Sequence, residues 1–198
     1  MIGNMIDNES VGYFATAGKF LDLTLFLPTV LTQTITPLLV KVRETGTKEE
    51  YENKKKAFVS ITVWISILLA LFTSVCSHWL IYLTFGEKYS LAVPILQILA
   101  WKTIGMALSS SAGQIIIMEG LQKWAFIRNM LGCFICIGLN YILIPKYGTI
   151  GAAYVTIITL IFSGCLANIL IPPYYNVFTI QLYSVVFGWK YLFRLNFK

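Results

Sequence analysis

Apolar residues in this chain fall in long blocks separated by short polar stretches, rather than alternating on one face of amphipathic elements. The blocks run over about residues 11–40, 57–85, 91–118, 124–144 and 150–171. Each has the length that a helix rising 1.5 Å per residue needs to cross about 30 Å of hydrocarbon. The pattern predicts an all-α, polytopic membrane bundle with about five spans over residues 1–172, followed by a tail over 173–198 that reads as an interfacial helix. The first block is longer than a span and holds Pro28 and Pro37, which predicts tilt or a kink. The fourth ends at Pro145, and the fifth stops at Pro172-Pro173.

Composition agrees. The chain is 57% hydrophobic and 12% charged, about half the charge of a soluble domain. Its mean hydropathy is +0.73. The net charge of +6 would direct attention to nucleic acid in a soluble protein. Here the basic residues sit in short loops, where they orient helices and meet anionic headgroups, and no nucleic-acid motif is present. Counted loop by loop, alternate connections hold eleven Lys and Arg against two, with Lys19 and Lys102 inside spans. The rich set is expected in the cytoplasm, so the N-terminus faces outside and the C-terminus inside. A five-span chain that starts outside, with no basic segment ahead of its first helix, is expected to be the end of a longer protein.

Candidate chemistry lies in the charges that interrupt the blocks, because a charge at mid-membrane costs about 2.5–3.5 kcal/mol on insertion scales. Lys19 and Asp22 are three residues apart and share a helical face. They read either as part of a hydrated cavity that attracts an anionic headgroup or as a structural pair near the outer interface, with Lys19 snorkelling. Lys102 lies about eleven residues into the third block, far from any acid in sequence, and reads as facing a cavity or a structural partner. Arg128 opens the fourth block and reads as a cytoplasmic anchor or a further cavity cation. Ser109, Ser110, Ser111, Gly113 and Gln114 permit close helix packing or line a polar path. Cys133 and Cys136 form a C-x-x-C that reads as two small residues on one helix face, and His78 reads as interfacial. There is no nucleophile–base pair, metal motif or P-loop, so neither an enzyme nor a self-contained ATP-driven pump is expected, and no cofactor or metal is expected.

Three stretches resemble the polysaccharide transporter branch of the multidrug/oligosaccharidyl-lipid/polysaccharide exporter superfamily. VGYFATAGKFLDLTLFLPTVLTQTITPLLVK (Val11 to Lys41) is similar to the family's eighth helix, with its G-x-Y/F-x-x-A-x-K start, an acid three residues after the Lys and two spaced prolines. LIYLTFGEKYSLAVPILQILAW (Leu80 to Trp101) resembles the joint between helices nine and ten, and LNYILIPKYGTIGAAYVT (Leu139 to Thr156) the turn between helices eleven and twelve. The departures are Thr84-Phe85 for Leu-Tyr, Asp22 where Glu is common, Val155 for Ala, and the lack of an N-terminal lobe with most of helix seven. The resemblance implies the C-terminal lobe of a two-lobed flippase in the bacterial plasma membrane. It further implies a partner set of lipid bilayer, polyprenyl-pyrophosphate-linked oligosaccharide for O-antigen or capsule export, and a separate N-terminal half or glycan-assembly proteins. Lys19, Asp22, Lys102 and Arg128 become its candidate substrate-binding residues. The alternatives are half of a cation-coupled drug exporter, or a non-transporting remnant or accessory membrane protein.

Overall fold

A computed structural model describes residues 6–192; Arg194 and Lys198 of the expected tail lie outside the described residues. Every regular element among them is helical. The first helix, α1 (Asn8–Thr45), starts where Asp7 accepts a 2.6 Å hydrogen bond from the Ser10 N–H and ends at Gly46. It continues through Pro28 and Pro37. Thr29, Thr32, Thr34 and Thr36 around those prolines each donate a hydroxyl to the carbonyl four residues earlier. Local hydroxyls of this kind satisfy backbone in a helix that prolines perturb. Helix α2 (Lys48–Phe85) is capped by Thr47 and stops at Gly86, whose φ of 75° disfavours any side chain. A 3₁₀ turn (Glu87–Tyr89) leads to α3 (Ala92–Ala100) and α4 (Lys102–Met118), two parts of one apolar length stepped at Trp101.

After a second 3₁₀ turn (Gln122–Trp124), α5 (Ala125–Ile161) runs into a π-helical turn (Phe162–Leu166), α6 (Ala167–Leu170) and a 3₁₀ turn at Pro172–Tyr174. The last described helices are α7 (Tyr175–Phe187) and α8 (Trp189–Leu192).

Among the described residues, four helices are long and apolar enough to cross a membrane, the fourth covering Gln122–Leu170 with 49 residues. Straight, that length would reach about 74 Å. It is not straight, because Gly148 breaks it with φ 60°, ψ −138°. A Cβ on Gly151 would sit 2.4 Å from the Leu143 carbonyl oxygen, and one on Gly132 would sit 2.9 Å from Ser163 Cβ. In a continuous helix 143 and 151 would be about 12 Å apart. The two arms therefore run antiparallel, giving five lengths suited to crossing, and the LIPKYG segment is the turn. A side chain at 151 must displace backbone. Gly151→Ala is expected to lower stability by about 1–3 kcal/mol. Gly138→Ala on the same helix, where nothing lies within 4 Å of the added methyl, should be neutral or better. Reversible unfolding in mixed detergent micelles measures both.

Two apolar clusters fill the bundle. One joins Ala17 and Leu21 of α1 to Ile81 of α2, Ile95, Leu96 and Leu99 of α3, and Ala153 of α5. The other joins Ile35 and Leu39 to Phe58, Val59 and Val63, to α4 between Ala107 and Met118, and to Ile171, Tyr174, Val177 and Ile180. Buried Ser60, Thr62, Ser66, Thr73 and Ser77 punctuate α2. The Thr62, Ser66 and Ser77 hydroxyls return to carbonyls of α2 itself, while the Ser60 hydroxyl has no partner among the described residues. Small hydroxylated residues at these positions let helices approach closely. Thr24 and Thr73, for example, are 3.2 Å apart across α1 and α2. The outside is apolar: Leu23, Phe26, Val75 and Leu83 are each at least 69% exposed. Contiguous surface of that character is suited to acyl chains, not water. Helix α7 turns Val177, Ile180, Gln181 and Ser184 inward. It meets the first part of α2, with the Lys56 ammonium 5.5 Å from the Tyr183 ring and Gly188 against Ser60.

Candidate functional site

Helix α1 buries Ala17, Leu21, Pro28, Thr32, Ile35 and Leu39, spaced by three, four or seven residues, so one stripe faces the bundle. Lys19 and Asp22 lie off that stripe and are exposed. At about 100° per residue, Asp22 shares its side of the helix with Thr29, Gln33 and Thr36. The result is a polar edge along a helix whose remaining outer surface is apolar.

Helix α4 packs on α1 and supplies the other wall. One side of α4 carries Leu108, Ser111 and Ile115, all buried. Its other side carries Lys102, Met106, Ser110, Gly113 and Gln114, all partly exposed. Gln114 and the α1 residues Gln33, Thr36, Pro37 and Val40 line a pocket of about 430 Å³. Two amides and a hydroxyl around such a space offer donors and acceptors to a polar ligand without a fixed charge.

The structure brings only some of the candidate residues together. Lys19 and Asp22 form no ion pair, so the structural-pair reading is not what the described residues display. Lys102 is half-buried and likewise has no carboxylate partner among them. Arg128 is buried beside Tyr174 rather than facing open water. Ser109 packs at the helix crossing, where a Cβ on Gly164 would meet Ser109 Cβ at 3.0 Å, and Ser111 donates back to the Ala107 carbonyl at 2.7 Å. Both therefore serve packing, while Ser110, Gly113 and Gln114 line the open side. Cys133 and Cys136 carry free thiols. His78 stacks on Tyr82, with ring centroids 6.3 Å apart.

Two polar clusters escaped sequence reasoning. Lys55 is fully buried and bonds Glu119 at 2.6 Å and Glu52 at 2.8 Å. Its cue is periodic: Tyr51, Lys55, Phe58 and Thr62 fall on one helical face, and all are buried. Asn168 and Gln181, each the one strongly polar side chain in an apolar run, bond each other at 2.9 Å in full burial.

Residues 1–94 match the family model described as Polysaccharide biosynthesis protein. The chain is 25% identical over 153 residues to the Capsular polysaccharide biosynthesis protein CapF of Staphylococcus aureus, a match covering 77% of this chain and 39% of that protein. The chain therefore spans about two fifths of the length of the curated relative it matches. No solved structure matches it. These matches support a polysaccharide biosynthesis family for the chain, the direction in which its own motifs point.

Proposed function

We propose that the chain forms one lobe of a transporter that flips lipid-linked oligosaccharide across the bacterial plasma membrane, for export of a surface polysaccharide. The observation that carries this reading is the pocket that sets Gln33 and Thr36 of α1 opposite Gln114 of α4, in a bundle whose outside is largely apolar. A wet, amide-lined wall suits sugar hydroxyls, while the polyprenyl tail stays in the lipid. The pyrophosphate needs compensating cations, because a doubly charged group in low dielectric is stable only when paired. Lys102 and Lys19 supply them from this lobe, and Asp22 tempers the charge near Lys19. The substrate is moved and not converted, so no catalytic group is required. A second lobe, from the same or a separate chain, completes the cavity, and the basic loops lie in the cytoplasm.

The test is made in the producing bacterium. Lys102→Ala is expected to slow export about ten-fold, the equivalent of one charge-assisted hydrogen bond lost. Lys102→Arg should retain most of it, and Lys88→Ala, in an exposed loop, should change nothing. Undiminished surface polysaccharide in Lys102→Ala and Lys19→Ala strains, at normal membrane abundance, would remove both residues from the substrate path.

A further inference from the structure

Arg128 sits in the first turn of α5 and is 9% exposed. Its Nε and Nη1 have no hydrogen-bond partner. No carboxylate among the described residues pairs with it. A lysine in such a place can shed its proton, but a guanidinium stays charged. A buried charge without a counter-charge is strongly destabilising, so the position calls for an anion.

The surroundings suit an oxyanion. The Arg128 charge acts on Tyr174, which is fully buried. The Tyr174 hydroxyl donates to the Leu121 carbonyl at 2.9 Å. That bond ties the start of α7, which opens on the residue after Tyr174, to the residue just before the 3₁₀ turn that leads into α5. Neither helix has a side-chain cap or an acid in its first turn. The first N–H of each helix is taken up by the 3₁₀ turn before it, Ala125 donating to the Gln122 carbonyl and Tyr175 to the Pro172 carbonyl, so what these starts add is the positive end of a helix dipole. Lys123, exposed in the turn before α5, adds a further positive charge. Trp124, Phe126 and Ile127 beside it are 42%, 71% and 43% exposed, the composition of a membrane–water boundary.

We infer that this corner is a phosphate seat, in which two oxygens of a phosphate group accept from the Arg128 fork beside Tyr174 and the lead into α5. A phospholipid headgroup and a free phosphate share that chemistry, and the boundary residues favour the lipid. The seat does not depend on the transport reading and lies on different residues from Lys19 and Lys102.

Native mass spectrometry of the full chain in detergent tests it, with phosphatidylglycerol, a diacylglycerol of the same acyl chains, and inorganic phosphate as separate probes. Wild-type protein is expected to retain phosphatidylglycerol over the diacylglycerol, and Arg128→Gln to lose about ten-fold in that retention. Arg128→Lys should keep part of it, and Lys123→Gln most of it. Thermal stabilisation by inorganic phosphate that Arg128→Gln abolishes also upholds the seat, with a free anion as its source. Equal retention of phosphatidylglycerol by wild type and Arg128→Gln overturns it. Should Arg128→Gln not fold, the wild-type arms decide: no preference for phosphatidylglycerol and no stabilisation by phosphate overturn the seat. Surface polysaccharide is not read here, so the outcome is separable from that at Lys102.

Discussion

Glu119→Leu lowers the folding stability of the chain by about 3–5 kcal/mol, the cost of stranding a buried charge. Lys55 has no exposed side-chain surface, and Glu119 is its 2.6 Å partner from the far end of α4. Glu52, one turn earlier on α2, is the second partner at 2.8 Å, but 31% of its side chain is exposed. At the same end Arg43 of α1 donates to the Met118 carbonyl. The consecutive helices α1 and α2 are thus both tied to the far end of α4, beside the apolar block that begins at Ala57. Burial alone would push the Lys55 ammonium toward neutrality, but hydrogen bonds to Glu119 and Glu52 outweigh it and leave its pKa above the ordinary lysine value of 10.5. A group whose pKa is raised on folding contributes fully below its unfolded value. The contribution of Lys55 is therefore constant across neutral pH and is lost only as pH rises past 10.5 and through the folded value. Reversible unfolding in mixed micelles, read by tryptophan fluorescence, gives the difference. The double variant Lys55→Met with Glu119→Leu should regain most of the loss, because well-packed apolar groups replace a buried ion pair at little cost. Glu52→Gln should cost less than Glu119→Leu, because Glu119 remains to pair the ammonium and Glu52 is partly open to solvent. A single Glu119→Leu variant as stable as wild type would mean that the ammonium escapes to water and that the tie is unimportant.

What could be read from the sequence divides along a physical line. Block length and apolarity depend on the solvent the chain faces, so the all-helical class was legible without contacts, whereas α1 and α2 run on through residues 41–45 and 48–56, which charge counting treats as a polar loop. The Pro145–Gly148 turn was legible for the same kind of reason: a proline followed by a glycine ends a helix, and Gly148 takes the positive φ that reverses it. Which face of a helix turns inward is set by neighbours distant in sequence. Lys55 sits in a run of three lysines that charge counting treats as a wet loop, yet the middle one is buried while those on either side are partly exposed. Lys19 and Asp22 have the spacing of an ion pair, but their side of α1 is open and nothing holds them together. Arg128 has the position of a surface anchor and the burial of a core residue, and its neighbour Tyr174, which bonds the Leu121 carbonyl ahead of α5, is 46 residues away in sequence. The polar wall of α1 and α4 was half legible. Its cations stood out, but Gln33 and Thr36 carry no charge, and only the packing of α4 against α1 sets Gln114 opposite them.

Gln181→Leu is expected to destabilise the chain by about 2 kcal/mol while conserving volume. The amide of Gln181 donates to the Leu108 carbonyl at 2.9 Å and the Gly164 carbonyl at 2.8 Å, and its oxygen accepts from Asn168 at 2.9 Å. Gly164 stands in the π-helical turn, where a Cβ would meet Ser109 at 3.0 Å, so α4 and this turn cross in close contact. A π turn displaces the regular ladder of carbonyls, and the Gln181 and Asn168 amides both donate to one carbonyl inside it, that of Gly164. One side chain therefore joins α4, the turn before α6, and α7. Removing it takes one hydrogen bond each from the Leu108 carbonyl, which keeps the Ser111 hydroxyl at 3.3 Å, from the Gly164 carbonyl, which keeps the Asn168 amide at 3.1 Å, and from the Asn168 amide itself. Each loss costs up to about 3 kcal/mol in a dry interior, although cycles in membrane proteins average nearer 0.6 kcal/mol for a single bond. Asn168→Leu should cost less, because Gly164 and Leu108 keep Gln181. If the network acts as a unit, the two substitutions together should cost less than the sum of the singles by at least about 0.5 kcal/mol. Leu182→Ala, on the exposed side of the same helix, provides the control and should stay within about 0.5 kcal/mol of wild type. Additive losses at 168 and 181 would show that the two amides act separately, and a neutral Gln181→Leu that α7 holds its place by apolar contact alone.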